Sequence, residues 1–257
     1  MNGSNPHSSA GVGLVVRGLR KSFDGQEVLK GLDLDVKPGE IFVIMGPSGS
    51  GKSVLLKHLI GLMLPTSGQV WIEDQQIVGL KERQLLPIRK TVGMMFQGCA
   101  LFDAMTVEEN VAFPLHEAGE RNPAVIRTKV AEALDVVDLT GHEQKLPVNL
   151  SGGMKKRVAL ARVVITRPHC VLYDEPTAGL DPVVSDSINH LIRRLQKRFG
   201  VTSIVVTHDM KCAEHVADKV AFIHEGAIYF YGAFADLICS QDPLIQDFIQ
   251  GRSGDTD

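Results

Sequence analysis

The stretch "GPSGSGKS", from Gly46 to Ser53, constrains the fold of this chain more strongly than any other. It matches the spacing G-x-x-x-x-G-K-[ST] and stands between the apolar run "EIFVIM" and a second apolar stretch that begins at Val54. A strand that passes through a glycine-rich turn into a helix surrounds an anion with backbone N–H groups and with the positive end of the helix. The stretch therefore predicts a strand, a phosphate-binding loop and a helix in succession.

Each residue of this loop has an expected role. Lys52 should contact the β- and γ-phosphates of a nucleotide, and Ser53 should supply an oxygen ligand to Mg²⁺. The remaining residues should line the phosphates, mainly through backbone N–H groups; they are Gly46, Pro47, Ser48, Gly49, Ser50, Gly51 and Val54. The alternative is a glycine-rich turn with a chance lysine, which the strand and helix patterns on either side disfavour.

Two carboxylates, Asp174 and Glu175, end the apolar run "CVLYDE". A buried strand delivers such acids at its carboxyl end, where open α/β sheets bind ligands. Successive side chains of a strand point to opposite faces, so the two acids need not share a task. Asp174 suits Mg²⁺, directly or through water, and Glu175 suits the attacking water. Two acids that merely cap a strand are the weaker interpretation, because a phosphate loop requires a metal ligand of this kind.

Helix and strand patterns alternate along much of the chain, which favours a mainly parallel sheet covered by helices. A helix is expected over about Val54–Leu62, and another opens at Asp181–Pro182. Strands are expected at "GLVVRGLRKSF", "VLKGLDLDV", "EIFVIM", "QVWIED", "TVGMMFQ", "CVLYD", "TSIVVT" and, as a hairpin, "KVAFIH" and "AIYFYG". The patterns together predict an α/β core.

The segment from Gly98 to Asn149 is expected to form a helical insertion in this core. Thr106 and Glu109 match a capping box, and Asn122–Pro123 matches a cap followed by an N1 proline. Pro114 should kink or end the first of these helices.

Composition excludes several classes of partner and setting. A formal net charge of -3 over 257 residues gives no general attraction to nucleic acid or to anionic lipid. No apolar run approaches the roughly 18 to 20 residues of a membrane helix, so a membrane role requires partner proteins.

The cysteines lie far apart, which favours a reduced cytoplasmic setting with each as a small core residue; they are Cys99, Cys170, Cys212 and Cys239. The polar ends, 1–12 and 252–257, are expected to be flexible.

Further motifs follow the phosphate loop in a fixed order: "MMFQG" with Gln97, "LSGGM" from Leu150, "AGLD" ending at Asp181 and "VVTHD" with His208. This set resembles the nucleotide-binding domain of ABC transporters over roughly 13–251, and the chain lacks the N-K-x-D motif of a GTPase. The resemblance implies a P-loop NTPase fold with a mainly parallel sheet, an N-terminal antiparallel β subdomain and a helical subdomain at about 98–149. It also implies ATP hydrolysis with ATP and Mg²⁺.

The resemblance also implies roles for the other motif residues. Phe23 matches the aromatic residue that stacks on adenine, although it could instead be a core phenylalanine. Gln97 matches the glutamine that senses Mg²⁺ and the attacking water, and His208 matches the histidine that contacts the γ-phosphate. Asp181 matches an acid at the dimer interface.

The turn "LSGG" is a second glycine-rich turn ahead of a helix. In the resembled family it docks on the ATP of a second copy, so a homodimer is implied, with contacts from Ser151, Gly152 and Gly153. An ordinary serine-capped helix with a solvated "KKR" face is the alternative. Met154 departs from the glutamine that is commoner in the family.

His208 has a competing interpretation. With Cys212 and His215 it forms an i, i+4, i+7 set, which could line one helix face as a metal site. Because His208 directly follows an apolar strand, and structural zinc usually needs a fourth ligand, the nucleotide role is preferred.

Several stretches look like the ATPase subunit of Mla-type, MCE-associated phospholipid transporters: "FQGCALFDAMTVEENVAFPLHE", "LSGGMKKRVALAR" and "DPLIQDFIQG". The resemblance implies phospholipid movement between the inner and outer membranes of a Gram-negative cell, from the cytoplasmic face of the inner membrane. Integral-membrane permease subunits, an MCE-domain protein and a small STAS-domain protein are the implied partners. The alternatives are another ABC importer, a lipoprotein-release system and a soluble ABC ATPase, of which the last normally carries tandem domains or a coiled coil.

A docking surface is expected after Gln97, because "GCALFDAM" places Leu101 and Phe102 beside the predicted catalytic glutamine. Apolar loop residues next to a switch suit a groove for a permease's cytoplasmic helix. Burial of both residues within the helical subdomain is equally compatible with the sequence.

Overall fold

The computed structural model describes residues 11–252. The strands are β1 (Leu14–Phe23), β2 (Gln26–Val36), β3 (Ile41–Met45), β4 (Ser67–Ile72), β5 (Gln75–Gln76), β6 (Val92–Met95), β7 (Cys170–Asp174), β8 (Thr202–Val206), β9 (Lys219–His224) and β10 (Ala227–Gly232). The helices are α1 (Lys52–Leu59), α2 (Glu82–Thr91), α3 (Val107–Glu117), α4 (Pro123–Val136), α5 (Gly152–Val164), α6 (Pro182–Phe199), α7 (Met210–Val216), α8 (Phe234–Ile238) and α9 (Pro243–Gln250), with a 3₁₀ turn at Pro147–Asn149.

The larger sheet has six strands in the order β10-β9-β3-β8-β7-β6. All neighbours in it are parallel except the β9–β10 hairpin, which confirms the predicted mainly parallel sheet. Asp174 at the end of β7 pairs in register with Val206 at the end of β8, and Ile44 near the end of β3 pairs with the same residue. The carboxyl ends of these three strands therefore meet at one edge of the sheet.

The smaller sheet is antiparallel and has the order β2-β1-β4-β5. This arrangement confirms the predicted N-terminal antiparallel β subdomain. Two hydrogen bonds join β2 to the hairpin of the larger sheet: Lys30 N–H donates to Gly226 O at 2.8 Å, and Tyr231 OH donates to Asp35 O at 2.9 Å.

Side chains of β3 alternate between two hydrophobic clusters. Ile41, Val43 and Met45 pack in the cluster that includes α3, α4, α5 and α6. Phe42 and Ile44 pack in the cluster formed with α1 and the smaller sheet. A strand buried on both faces needs apolar residues in succession, which explains the continuous run "IFVIM".

The two helix starts expected in the middle of the chain are present. Thr106 Oγ1 accepts from Glu109 N–H at 3.2 Å while Thr106 N–H donates to Glu109 Oε2 at 2.7 Å, a complete capping box. Asn122 Oδ1 accepts from Ala124 N–H at 3.0 Å, with Pro123 at the first helical position. Pro114 does not end α3, which continues to Glu117 because the buried Leu115 holds the last turn against the core.

Other boundaries differ from the sequence expectation. The helix predicted over Val54–Leu62 begins directly at Lys52 and ends at Leu59, because Gly61 adopts a left-handed φ of 65° and donates its N–H to His58 O. Helices α2, α8 and α9 had no counterpart in the sequence analysis. In α2 only Leu85 and Ile88 are buried, and Pro87 interrupts the pattern.

The cysteines divide into two groups. Cys99, Cys170 and Cys212 are buried, as expected for small core residues, and burial raises the pKa of each thiol, that of Cys212 to about 12. Cys239 is exposed, which corrects the expectation for that residue, because it caps the short helix α8 instead of packing beneath it.

Most of the segments expected to be flexible, 1–10 and 253–257, lie outside the described residues. Val12, which falls in the expected flexible segment 1–12, is buried, and its carbonyl accepts a hydrogen bond from Thr202 Oγ1 at 2.7 Å. No helix within residues 11–252 is long and apolar enough to cross a membrane.

Candidate active site

The phosphate loop connects the end of β3 to the start of α1. Gly46 has a φ of 149°, and a Cβ there would stand 2.2 Å from Ile223 O; Gly51, with a φ of 98°, would place a Cβ 2.7 Å from Leu29 Cδ2. Only glycine fits these positions. Ser50 Oγ is buried without a hydrogen-bond partner among the described residues. A narrow backbone cradle with an unpaired hydroxyl fits the phosphate groups of a nucleotide.

Lys52 reaches back across this loop. Its Nζ donates to Gly46 O and to Pro47 O, both at 2.8 Å. The side chain is buried, and burial lowers the pKa of its ammonium group. The Lys52 ammonium group therefore lies against the phosphate loop, where the sequence predicted a phosphate contact.

Ser53 and Asp174 meet at the edge of the sheet where β7 ends. Ser53 Oγ donates to Asp174 Oδ1 at 2.9 Å. Burial raises the pKa of Asp174, and the hydrogen bond from Ser53 opposes that rise. A hydroxyl and a carboxylate in contact are the hard oxygen ligands that Mg²⁺ prefers, so the pair fits the predicted metal site.

Polar contacts fix both the backbone and the side chain of Glu175. Its φ is 48°, in the left-handed region that non-glycine residues rarely adopt. Its N–H donates to Val206 O at 2.9 Å, and Oε1 lies 3.0 Å from His208 Nδ1. Thr207 Oγ1 donates to Oε2 at 3.4 Å. Asp174 and Glu175 therefore have different partners, as their adjacent positions suggested.

Lys156 joins the site, although a solvated "KKR" face was the only interpretation that the sequence offered for it, as the alternative for this turn. The residue is 5% exposed. Its Nζ donates to Gln97 O at 2.7 Å and to Glu175 O at 3.2 Å, and burial lowers its pKa. Helical spacing is the signal that could have found it, because Lys156 lies three residues after Gly153 and four before Leu160, both buried.

Gln97 takes part in the site through its backbone. Its carbonyl accepts from Lys156, but within residues 11–252 its exposed side chain makes no hydrogen bond to Asp174 or Glu175. The next residues are fixed by Arg162, which donates to Cys99 O and Ala100 O, each at 2.7 Å. The structure places the glutamine beside the site without engaging its amide.

Phe23 ends β1 and pairs with Gln26 of β2. The residue is 40% exposed, so it is not a core phenylalanine, which was the alternative that the sequence left open. Lys21 Nζ lies 4.9 Å from the ring centroid. Val28 of β2 lies close to Gly51, since a Cβ added to Gly51 would stand 3.1 Å from Val28 O. The Phe23 ring therefore belongs to the β1–β2 pair, which borders the phosphate loop.

The second glycine-rich turn lies against α6 of the same chain. Ser151 is exposed, and its Oγ accepts from Met154 N–H at 3.3 Å as the cap of α5. A Cβ at Gly152 would stand 3.2 Å from Leu180 Cδ2, and one at Gly153 would stand 2.5 Å from Val184 Cγ1. Asp181 Oδ1 accepts from Val183 N–H and Val184 N–H, both at 3.0 Å. Among the described residues, no hydrogen bond joins this turn to the phosphate loop.

The structure disfavours the metal site formed by His208, Cys212 and His215. His208 precedes α7, which begins at Met210, and contacts Glu175. Cys212 is fully buried in the core. His215 instead lies beside His190, and its Nε2 is 3.2 Å from His190 Nδ1. The three residues therefore do not converge.

The chain is similar to known proteins over most of its length. The family described as "ABC transporter" matches residues 29–178. "Probable ribonucleotide transport ATP-binding protein mkl" of Mycobacterium leprae is 38% identical over 250 residues, which cover 97% of this chain and 72% of that protein. "Methionine import ATP-binding protein MetN" of Carboxydothermus hydrogenoformans is 37% identical over 240 residues, 92% of this chain and 71% of that one.

A plant protein matches equally well. "Protein TRIGALACTOSYLDIACYLGLYCEROL 3, chloroplastic" of Arabidopsis thaliana is 38% identical over 252 residues, with 91% of this chain and 72% of that protein covered. Among solved structures, the ATP-binding cassette MJ0796, a dimer in a post-hydrolysis state bound to ADP and Pi, superposes with a TM-score of 0.79 at 32% identity and covers 86% of this chain and 98% of its own. The chain therefore belongs to the ABC transporter family, as an ATP-binding subunit that hydrolyses ATP.

Proposed function

We propose that this chain powers a membrane transporter that moves phospholipid between the inner and outer membranes, from the cytoplasmic face of the inner membrane. The observation that carries the proposal is its 38% identity, over 91% of its length, to a chloroplast protein named after a galactosylated diacylglycerol lipid. The phospholipid-transporter stretches of the sequence, such as "LSGGMKKRVALAR", support the same class of cargo.

In the proposed mechanism the phosphate loop, Lys52 and the N-terminus of α1 bind the phosphates of ATP. Ser53 and Asp174, with the amide of Gln97, would hold Mg²⁺. When bound, this ion neutralises charge on the phosphate oxygens. Glu175 Oε1 or Oε2 accepts a proton from the attacking water, and His208 holds that carboxylate in place and contacts the γ-phosphate. Phe23 provides a face for adenine.

Two copies of the chain form the working dimer in this proposal. Ser151 is exposed at the N-terminus of α5, where its hydroxyl and the helix dipole can meet the γ-phosphate held by a second copy. Asp181 lies at the start of the neighbouring helix, at the same surface. The dimeric state of the similar cassette MJ0796 supports this arrangement.

The permease is proposed to dock in a groove of about 570 Å³ next to Gln97. Its lining includes Phe96, Phe102, Phe113, Met94 and Leu86. The rings of Phe102 and Phe113 lie 4.7 Å apart, and Phe102 is 42% exposed.

Leu101, which the sequence grouped with Phe102, packs against the main core, so Phe102 is the better probe of this surface. Phe102→Glu should leave ATP binding intact and release the permease from the purified complex. Recovery of the intact complex from the Phe102→Glu strain would contradict docking at this groove.

Purification of the native complex is the experiment that tests the cargo. An MCE-domain protein, permease subunits and a small STAS-domain protein should copurify with this chain, together with phospholipid identified by mass spectrometry. The methionine-import relative favours a second candidate, an importer of small solutes. Copurification of a periplasmic solute-binding protein, without an MCE-domain protein, would replace the lipid proposal with this one.

A further inference from the structure

A cluster of imidazole and carboxylate groups lies on α6 and α7, apart from the residues assigned to ATP. Asp186 and His190 stand one helical turn apart on α6, and His215 lies in the last turn of α7. His190 Nε2 is 3.4 Å from Asp186 Oδ2, and His215 Nδ1 is 3.7 Å from Asp186 Oδ1. Ligand atoms from all three residues lie within 4.8 Å of one another.

The two histidine rings face each other with nitrogen atoms. His215 Nε2 stands 3.2 Å from His190 Nδ1, and the ring planes meet at 81°. The lone pairs of two facing nitrogens can bind one cation. Metal–nitrogen bonds of about 2.0 to 2.1 Å at a tetrahedral angle put two imidazole nitrogens about 3.4 Å apart. The observed separation therefore suits one cation between these two nitrogens. Because Asp186 contacts the opposite nitrogens, His190 Nε2 and His215 Nδ1, its carboxylate must turn towards the facing pair to complete the site.

We propose that Asp186, His190 and His215 bind a divalent transition-metal cation of the Zn²⁺ type, with water in the remaining coordination position. Two imidazoles and one carboxylate are suitable ligands for such a cation, and the carboxylate offsets part of its charge. The Asp186 and His190 side chains are 59% and 65% exposed, so the ion can enter from solvent. Nitrogen ligands distinguish this site from the oxygen pair at Ser53 and Asp174.

A cation at this cluster joins two helices that begin in the ATP site. Helix α6 starts directly after Asp181, and α7 starts two residues after His208. Arg193, three residues after His190 in α6, already links this helix to the end of α7, since its Nη1 is 2.8 Å from Asp218 Oδ1 and its Nε donates to His215 O at 3.3 Å. The metal adds a second link near the middle of α6.

Zn²⁺ titration of the full chain, without a histidine tag, nucleotide or Mg²⁺, tests the proposal. In competition with a chromophoric chelator, the chain should bind one Zn²⁺. Asp186→Asn, His190→Ala and His215→Ala should each weaken binding about tenfold or more, since even partners outside the ligand set contribute about 10- to 100-fold in other metal sites. His116→Ala, which changes an exposed histidine on α3, is the matched control and should bind as the unaltered chain does.

Co²⁺ provides a second measurement that does not depend on affinity. The unaltered chain should show visible d–d absorption with Co²⁺, and the variant with both His190→Ala and His215→Ala should lose it. Equal Zn²⁺ binding by that double variant and the unaltered chain would overturn the proposal, as would no binding by either. Loss of Zn²⁺ in His208→Ala but not in His190→Ala would also overturn it, because the ion would then lie at the Glu175–His208 pair.

Discussion

The chain contains two glycine-rich turns that each lead into a helix, and they are built in different ways. In the first, at Gly46–Ser53, the glycines adopt backbone conformations closed to other residues, and Lys52 and Ser53 find partners within the chain. In the second, at Leu150–Gly153, no glycine has a positive φ. Ser151 is exposed there, and its hydroxyl only caps its own helix.

The difference shows that glycine serves two purposes in one molecule. In the phosphate loop it permits a backbone shape that surrounds an anion. In the second turn Gly153 removes a side chain that would collide with Val184, so that α5 and α6 approach closely. The first turn is complete within one chain, whereas the second leaves its helix N-terminus facing solvent. This contrast supports the proposal that a second copy completes the second turn's function.

The largest effect is expected on the chemical step, which a change at Glu175 should slow without weakening ATP binding or the dimer. Glu175→Gln should lower ATP hydrolysis by about 10²- to 10⁴-fold, the usual contribution of a general base. ATP binding should remain, and the ATP-bound dimer should become stable enough to isolate. Phosphate release and size-exclusion chromatography with ATP measure the two effects. Glu214→Gln, an exposed change on α7, is the control, and unchanged hydrolysis in Glu175→Gln would remove Glu175 from the mechanism.

A change in the first turn should weaken ATP binding by the isolated chain. Lys52→Ala should lower ATP affinity about 10- to 100-fold, because hydrogen bonds to charged groups contribute about 1.5 to 3 kcal/mol. Binding of a fluorescent ATP analogue to the monomer is the measurement. Lys129→Ala, which removes an exposed lysine on α4, should bind ATP normally. Equal affinities for the two variants would mean that Lys52 does not contact phosphate.

A change in the second turn should spare the monomer and weaken the dimer. Ser151→Asp keeps the helix cap, because aspartate and serine are similar N-caps, but it places a negative charge where a phosphate should dock. In the Glu175→Gln background, the ATP-dependent dimer should dissociate about tenfold more readily, with monomeric ATP affinity unchanged. Sedimentation measures this, with Ser151→Asn as the uncharged control. A dimer of unaltered stability would place the second turn outside the interface.

The smallest effect concerns the support of the second turn's helix. Asp138 accepts from Arg157 of α5 and Arg194 of α6, each at 2.7 Å, and these arginines hold its pKa below the ordinary 3.8. A lowered folded-state pKa stabilises the protein above the unfolded-state value, and this contribution is lost as the pH falls through the folded-state pKa. Asparagine tolerates the left-handed backbone at this position. Asp138→Asn should therefore lower the free energy of unfolding by only about 0.5 to 1 kcal/mol at pH 7, through loss of the ion pairs.

Denaturant unfolding at several pH values measures this difference, which should shrink below about pH 4 as Asp138 becomes protonated in both states. Asp135→Asn, an exposed change on α4, is the control. A loss of stability in Asp138→Asn that stays the same at pH 3 and pH 7 would show that the carboxylate charge is not its source.

The parts of the fold that the sequence predicted correctly have strong local signals. The apolar run before Gly46 predicted β3, and Asn122–Pro123 and Asp181–Pro182 predicted the starts of α4 and α6. Each signal depends on residues close together in the chain, such as a side-chain cap followed by a proline. Helix α2 has only two buried residues and contains Pro87, so its sequence carries little of the usual helical pattern.

The missed parts of the candidate site depend on contacts between distant segments. Lys156 can be buried because its ammonium group donates hydrogen bonds to Gln97 O, 59 residues earlier, and to Glu175 O, 19 residues later. Charged residues are usually solvated, so a solvated "KKR" face stood only as an alternative, and nothing local to the stretch indicated that Lys156 is buried. The left-handed backbone of Glu175 is equally invisible in sequence, because its N–H donates to Val206 O of β8, 31 residues later.

The uneven burial of the cysteines has a practical consequence. Cys99, Cys170 and Cys212 are enclosed and their thiols resist ionisation, whereas Cys239 is exposed at the end of α8. A thiol reacts with maleimides as its thiolate, and reaction also requires access. The native chain therefore carries a single attachment point for a fluorophore at Cys239. Two labelled copies could report the approach of one ATP-bound chain to another without any engineered cysteine.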